Sequence, residues 1–71
     1  MDATYSKRIK QCFGTAYNAL EKHHGATTGD QFKAIHSEFI ELGKIDPLLS
    51  DLLVVVYNEI ASEYRKREGI A

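Results

Sequence analysis

The sequence predicts an all-α fold: a compact three-helix bundle with a long–short–long, up–down–up order. Apolar residues recur at the three- and four-residue spacing of a helix in three separate stretches, and each stretch follows a residue that caps helix starts. The chain has 71 residues, which is enough for one domain, residues 1–71, and its short connections favour antiparallel neighbours. We therefore expect helices at about residues 3–23, 29–42 and 47–68.

The first predicted helix is long and carries its apolar residues along one stripe: Tyr5, Ile9, Cys12, Phe13, Ala16 and Leu20. Asp2 can cap its start, and Gly25 suits a left-handed position past its end. Gly14 lies in its interior, where glycine costs about 0.5–1 kcal/mol relative to alanine. Gly14 is therefore either a tolerated weakness or a place where a second helix approaches closely.

The second predicted helix is short and begins with a capping box, in which Thr28 is the cap and Gln31 is its partner. Its stripe consists of Phe32, Ile35, His36, Phe39, Ile40 and Leu42. Gly43 ends this helix, and we expect Ile45 to fold back onto Phe39 or its neighbours, as in a Schellman ending.

The third predicted helix begins at Asp46 and Pro47, a cap followed by a residue that fits the first turn without its N–H. Basic residues lie in its last turn, where cations interact favourably with the helix dipole, and Gly69 marks its stop. Residues 52–57 are apolar and sweep the whole circumference, whereas a surface helix needs only one apolar stripe. Either this helix is the centre of the fold, or another chain covers part of it.

Self-association through helix 3 is our prediction for this surplus apolar surface. A domain of this size rarely gains more than about 3–5 kcal/mol from its own core. Cys12 is the only cysteine, so no disulfide within the chain can add stability. A two-fold dimer that buries helix 3 against its symmetry mate would cover the surplus. Alternatively, helix 3 contacts both neighbours within the monomer, around a core that we expect to contain Phe13, Phe39 and Leu53.

Composition and charge exclude several classes of protein. The net charge is −1, which does not indicate a general nucleic-acid binder, and no apolar run approaches the length of a membrane span. A lone cysteine and the lack of a signal-peptide core indicate a cytoplasmic protein. The histidines are poorly spaced for a metal ion, Cys12 lies on an apolar stripe, and no glycine-rich phosphate loop is present. We therefore expect no enzyme activity, no cofactor, no small-molecule substrate and no membrane partner.

The predicted function is a non-enzymatic protein–protein interaction or regulatory module that presents a helical surface as a homodimer. Its partner is another protein, a second copy of the chain, or both. The candidate interaction residues are side chains beside the apolar surplus and acidic side chains that could steer a basic partner: Tyr57, Val54, Ala61, Glu38 and Glu41.

The alternative is a small dimeric nucleic-acid-binding regulator. Such a protein would contact phosphates through two basic groups: Lys7, Arg8 and Lys10 in the first helix, and Arg65, Lys66 and Arg67 in the third. In an up–down–up monomer these groups lie at opposite ends, about 30 Å apart, so a continuous basic patch needs a dimer.

Overall fold

Three α-helices make up the computed structural model, which describes residues 1–69. They are α1 (Ala3–His23), α2 (Gly29–Gly43) and α3 (Pro47–Glu68), with 21, 15 and 22 residues. The predicted all-α bundle and its long–short–long order are confirmed, and α2 ends one residue later than expected. α3 packs against both other helices, whereas α1 and α2 barely contact each other. The centre of the fold is therefore α3.

Contacts at the helix ends show in which direction each helix runs. Arg8 near the start of α1 bonds to Asp46 at the start of α3, and the Arg67 guanidinium donates to the carbonyl oxygen of His24 at the other end. α1 and α3 are therefore parallel. α2 is antiparallel to both, because the Phe32 ring in its first turns packs edge-on against Tyr64 near the end of α3.

The predicted helix starts are confirmed by their hydrogen bonds. The Asp2 and Asp46 carboxylates each accept a backbone N–H from the first turn of the following helix, at 2.7 and 2.9 Å. Thr28 and Gln31 form the complete capping box at the start of α2. Gly69 ends α3 in the left-handed conformation, with φ 70°, as predicted. These contacts satisfy backbone groups that have no partner inside the helices.

Gly43 ends α2 as predicted, but the left-handed conformation expected at Gly25 and Gly43 is wrong. Within residues 1–69, Gly69 is the only residue with a positive φ, so neither Gly25 nor Gly43 adopts the left-handed conformation. Ile45 does not fold back and is 74% exposed. Gly43 has a different role: a Cβ there would lie 3.1 Å from the Ser50 side chain, so its lack of a side chain lets the end of α2 approach α3.

The core lies where α3 meets its two neighbours, and Ile35, Leu53 and Ile60 are its most fully buried large side chains. Phe39 is also buried, so the predictions for Phe39 and Leu53 are confirmed. The remaining buried residues are Cys12, Ala16, Ala19, Ala26, Leu49 and Val56.

The prediction that Phe13 is a core residue is wrong, since its side chain is 53% exposed. The buried face of α1 consists of the small residues Cys12, Ala16 and Ala19, which let the backbone of α1 come close to its neighbour. Phe13 lies on one flank of that face. Phe13 belongs to a stripe with helical spacing, but the small residues of α1, not the aromatic ring, form the packed contact with α3.

Arg8 and Asp46 join the starts of α1 and α3 through two hydrogen bonds of 2.6 and 2.9 Å. Asp46 also caps α3, so one carboxylate serves both contacts. Hydrogen bonds from the Arg8 guanidinium and from the Leu48 N–H hold the pKa of Asp46 well below its usual range.

Replacing Phe39 by alanine is expected to remove most of the stability of the domain. Truncating a buried phenylalanine costs about 3–5 kcal/mol, which is comparable with the whole stability of a domain this small. Urea denaturation followed by circular dichroism measures the change. Phe13→Ala, measured at a concentration low enough for the chain to be monomeric, is the matched control, because that ring is half exposed. An equal loss in both variants would contradict this description of the core.

Replacing Asp46 by asparagine is expected to reduce stability at neutral pH and to make it less sensitive to acid. Because the folded-state pKa of Asp46 is depressed, its stabilising contribution is present above the unfolded value of about 3.9 and is lost as the pH falls through the folded-state value. Asparagine keeps the helix cap but removes the charge. Urea titrations at several pH values should show the two stabilities converging below about pH 4.

The matched control for this titration is Asp51→Asn, a change at an exposed carboxylate that forms no ion pair within residues 1–69. A constant difference between Asp46→Asn and the wild-type chain at every pH would contradict the role given to the charge.

Candidate interaction surfaces

A groove of about 340 Å³ lies between α2 and α3 and is mainly apolar. The buried side chains of Phe39 and Leu53 form its floor. Ile40 on α2 and Val54 on α3 line its rim and are 51% and 59% exposed. Two large aliphatic side chains that stay in water beside an apolar groove are typical of a surface that receives another molecule. We call this site the α2/α3 groove.

Tyr57 forms one wall of the α2/α3 groove and is only half-buried. Its ring packs edge-on against Phe32 and His36 of α2, with ring centroids 6.0 and 6.1 Å apart. Such contacts add to the stability of the chain beyond simple burial. Tyr57 therefore both holds α2 on α3 and presents part of its ring to the groove.

Three of the five predicted interaction residues share one flank of α3. Val54, Tyr57 and Ala61 follow the i, i+3, i+7 spacing, which places them on the flank that faces α2. Val54 is exposed, whereas Tyr57 and Ala61 are half-buried. The structure thus brings these three residues together beside the groove.

The two predicted glutamates lie on the opposite flank of α2, away from the groove. Glu38 is half-buried and accepts hydrogen bonds from Lys22 Nζ at 2.8 Å and from His23 Nε2 at 2.5 Å. The Lys22 hydrogen bond and then that of His23 lower the pKa of Glu38 despite its partial burial. Glu38 therefore ties α2 to α1 instead of presenting an exposed charge. Glu41 is exposed and pairs with Lys44 at 2.9 Å.

A second apolar surface lies on the side of α1 that faces away from α2. Arg8 and Lys22 share one flank of α1. Arg8 bonds to Asp46 in the α2–α3 connection, and Lys22 bonds to Glu38 of α2. Phe13 and Tyr17 lie on the other flank and are 53% and 63% exposed.

α3 continues this second surface. Because Val54 and Tyr57 line the groove against α2, Leu52 and Val55 lie on the flank of α3 that faces away from α2. Leu52 is half-buried, and Val55 is 65% exposed. α1 and α3 pack side by side, so the two flanks border one surface. We call it the α1/α3 face, and its apolar residues are Phe13, Tyr17, Leu52 and Val55.

The sequence pattern does not separate the α1/α3 face from the core, because Phe13 lies on the predicted apolar stripe of α1. A signal was nevertheless present in α1. Cys12, Ala16 and Ala19 follow the i, i+4, i+7 spacing of a closely packed helix face, which leaves the larger Phe13 and Tyr17 on its edge.

The basic residues of the alternative prediction are partly used within the chain. Arg8 bonds to Asp46, Lys66 pairs with Glu63, and Arg67 donates to the carbonyl oxygens of His24 and Ala26. Because α1 and α3 are parallel, the two basic groups lie at opposite ends of the chain's long axis, which spans 45 Å. No continuous basic patch forms from these two groups within residues 1–69.

Among the helices of residues 1–69, none combines the length and the apolar character needed to cross a membrane. Comparison with known proteins gives no match: no protein-family model, no curated protein and no solved structure is significantly similar to this chain. The two exposed apolar surfaces are therefore the features of this chain that bear on its function.

Replacing Tyr57 by alanine is expected to lower the free energy of unfolding by about 1–3 kcal/mol, less than for a fully buried ring. Tyr57→Phe should be close to neutral, because the edge-on ring contacts are retained and the hydroxyl makes no hydrogen bond within residues 1–69. Urea denaturation of both variants checks this. A loss in Tyr57→Phe as large as that in Tyr57→Ala would show that the hydroxyl, not the ring, stabilises the chain.

Proposed function

We propose that this chain is a non-enzymatic protein–protein interaction module that works as a homodimer and binds an amphipathic helix of a partner protein in the α2/α3 groove. The observation that carries the proposal is the pair of exposed aliphatic side chains, Ile40 and Val54, on the rim of an apolar groove. Water around such a rim is released when apolar side chains of a partner enter the groove.

The shape and lining of the groove favour a helix as the bound element. Amphipathic helices bind in apolar grooves through side chains spaced by three or four residues. Ser50, Asn58 and His36 add polar groups to the lining, which can orient the partner. The groove runs between two antiparallel helices and is open to solvent.

Charged residues at one end of the groove favour an acidic partner helix. Phe32 and Tyr64 pack edge-on with ring centroids 5.6 Å apart, so the next residues, Lys33 and Arg65, lie beyond the same end of the α2/α3 groove. Lys33 precedes Ile40 by seven positions and Arg65 follows Val54 by eleven, so each lies on the helix stripe that carries a rim residue. Acidic side chains beside the apolar anchors of the partner would match these two cations.

The nucleic-acid alternative has less support. Three of its six basic side chains already bond within the chain, and the two groups lie at opposite ends. Binding to phosphates requires several cations that can act together. Nucleic-acid binding is therefore the competing outcome of the test below.

Replacing Val54 by aspartate is expected to abolish capture of the partner while leaving the fold intact, because Val54 is exposed and aspartate places a charge on the apolar rim. The test is a pull-down from the source cells at low and high salt, with circular dichroism of each variant. Ile45→Asp is the matched control: it is another exposed aliphatic side chain, but it lies in the connection between α2 and α3, outside the α2/α3 groove and the α1/α3 face.

The proposal predicts a protein that remains bound at high salt to the wild-type chain and to Ile45→Asp but not to Val54→Asp. Equal capture by all three chains would contradict the role of the groove. Recovery of nucleic acid that salt releases steeply would instead favour the alternative.

A further inference from the structure

We propose that a second copy of this chain packs on the α1/α3 face, with the two α1 helices antiparallel and the two α3 helices antiparallel about one two-fold axis. This inference deepens the proposed homodimer and rests on it. It is independent of the α2/α3 groove, which lies on the other side of α3.

Two stripes of equal spacing run along this face. The stripe on α1 consists of Lys10, Gly14, Tyr17 and Glu21, and the stripe on α3 consists of Leu48, Leu52, Val55 and Glu59. Each stripe follows a four, three, four spacing, which keeps its members on one side of a helix. An antiparallel contact pairs the first member of a stripe with the last, and the second with the third.

Both stripes are centred at the same height in the bundle. Their midpoints are separated by 38 positions along the chain, which is also the separation of Arg8 and Asp46, the residues that join α1 and α3. Because the two helices are parallel and rise equally per residue, one two-fold axis perpendicular to them can serve both stripes.

Charges on the face select the antiparallel arrangement. One end of the face carries Lys10, and the other end carries Glu21 and Glu59. Within residues 1–69 none of these three side chains forms an ion pair. An antiparallel copy brings Lys10 to the two glutamates of the second copy, whereas a parallel copy would place Glu21 beside Glu59 of the second copy.

Gly14 acquires a role in this arrangement. A Cβ at Gly14 would meet nothing within 4 Å, so no neighbour within residues 1–69 requires a glycine there. In the antiparallel contact Gly14 faces Tyr17 of the second copy, and the lack of a side chain makes room for the ring. Tyr17 is 63% exposed in the single chain, and a tyrosine combines large contact area with a polar end suited to interfaces.

The apolar residues of the face supply the centre of the contact. Phe13, Tyr17, Leu52 and Val55 lie between the charged ends, in the order expected for an interface with an apolar core and a polar rim. Aromatic residues at such a centre usually contribute most of the binding energy. Because of the two-fold axis, each of these side chains contributes to the interface twice, once from each copy.

Charge reversal tests the pairing of Lys10 with Glu21. Sedimentation equilibrium of the full chain is measured for the wild type, Lys10→Glu, Glu21→Lys and the double variant. Each single change places like charges opposite each other twice per dimer and should raise the dimer dissociation constant by at least about tenfold. The double variant restores opposite charges and should return the constant to within about threefold of the wild type.

Glu41→Lys is the matched control, because it reverses an exposed glutamate on α2, away from the α1/α3 face. It should leave the dissociation constant unchanged, and circular dichroism confirms that each variant is folded. Rescue by the double variant supports the antiparallel contact. A wild-type dimer whose dissociation constant is unaffected by the single changes, or not restored in the double variant, overturns it while leaving the proposed homodimer intact. A wild-type chain that is monomeric at high micromolar concentration overturns both.

Discussion

The apolar circumference of α3 is the constraint on which the rest of this structure depends. Residues 52–57 place aliphatic or aromatic side chains on every side of the helix, so no single neighbour can cover them. α1 and α2 pack on two adjacent sides, and they bury Leu53, Val56 and Ile60 between them. Val54 and Val55 remain outside because they lie beyond the reach of either neighbour. The two exposed apolar surfaces of the chain are the direct result.

The size of the side chains on α1 decides how that helix meets α3. Cys12, Ala16 and Ala19 form its buried face and allow the two backbones to come close. Burial raises the pKa of the Cys12 thiol, which keeps it protonated and apolar within the contact. The larger Phe13 and Tyr17 cannot fit between closely packed backbones, so they lie on the flank. Because the buried face of α1 consists of small residues, the larger apolar side chains of this helix remain on the surface of the chain.

Polar contacts at the ends of the helices then determine their directions. Arg8 and Asp46 join two helix starts, and Arg67 bonds to backbone carbonyls beyond the end of α1. Lys22 and His23 hold Glu38, which is the main polar link between α1 and α2. Each of these contacts joins groups whose charges are only partly removed from water, so they specify geometry more than they add stability. They keep both apolar surfaces in a defined position relative to each other.

The sequence by itself determined the helices and their starts, because capping and helical spacing are local properties of the chain. Asp2, Thr28 with Gln31, and Asp46 act within one turn of their own positions, and Gly69 adopts the conformation that its place after a basic turn predicts. The fold class, the order of helix lengths and the burial of Phe39 and Leu53 followed from the same local patterns. Tertiary structure alone decided the outward position of Phe13, the use of Gly43 as a contact point and the internal pairing of Glu38. It also divided the surplus apolar surface of α3 between the α2/α3 groove and the α1/α3 face. A stripe specifies which residues point the same way, but which member of the stripe is covered depends on the size and direction of the neighbouring helix.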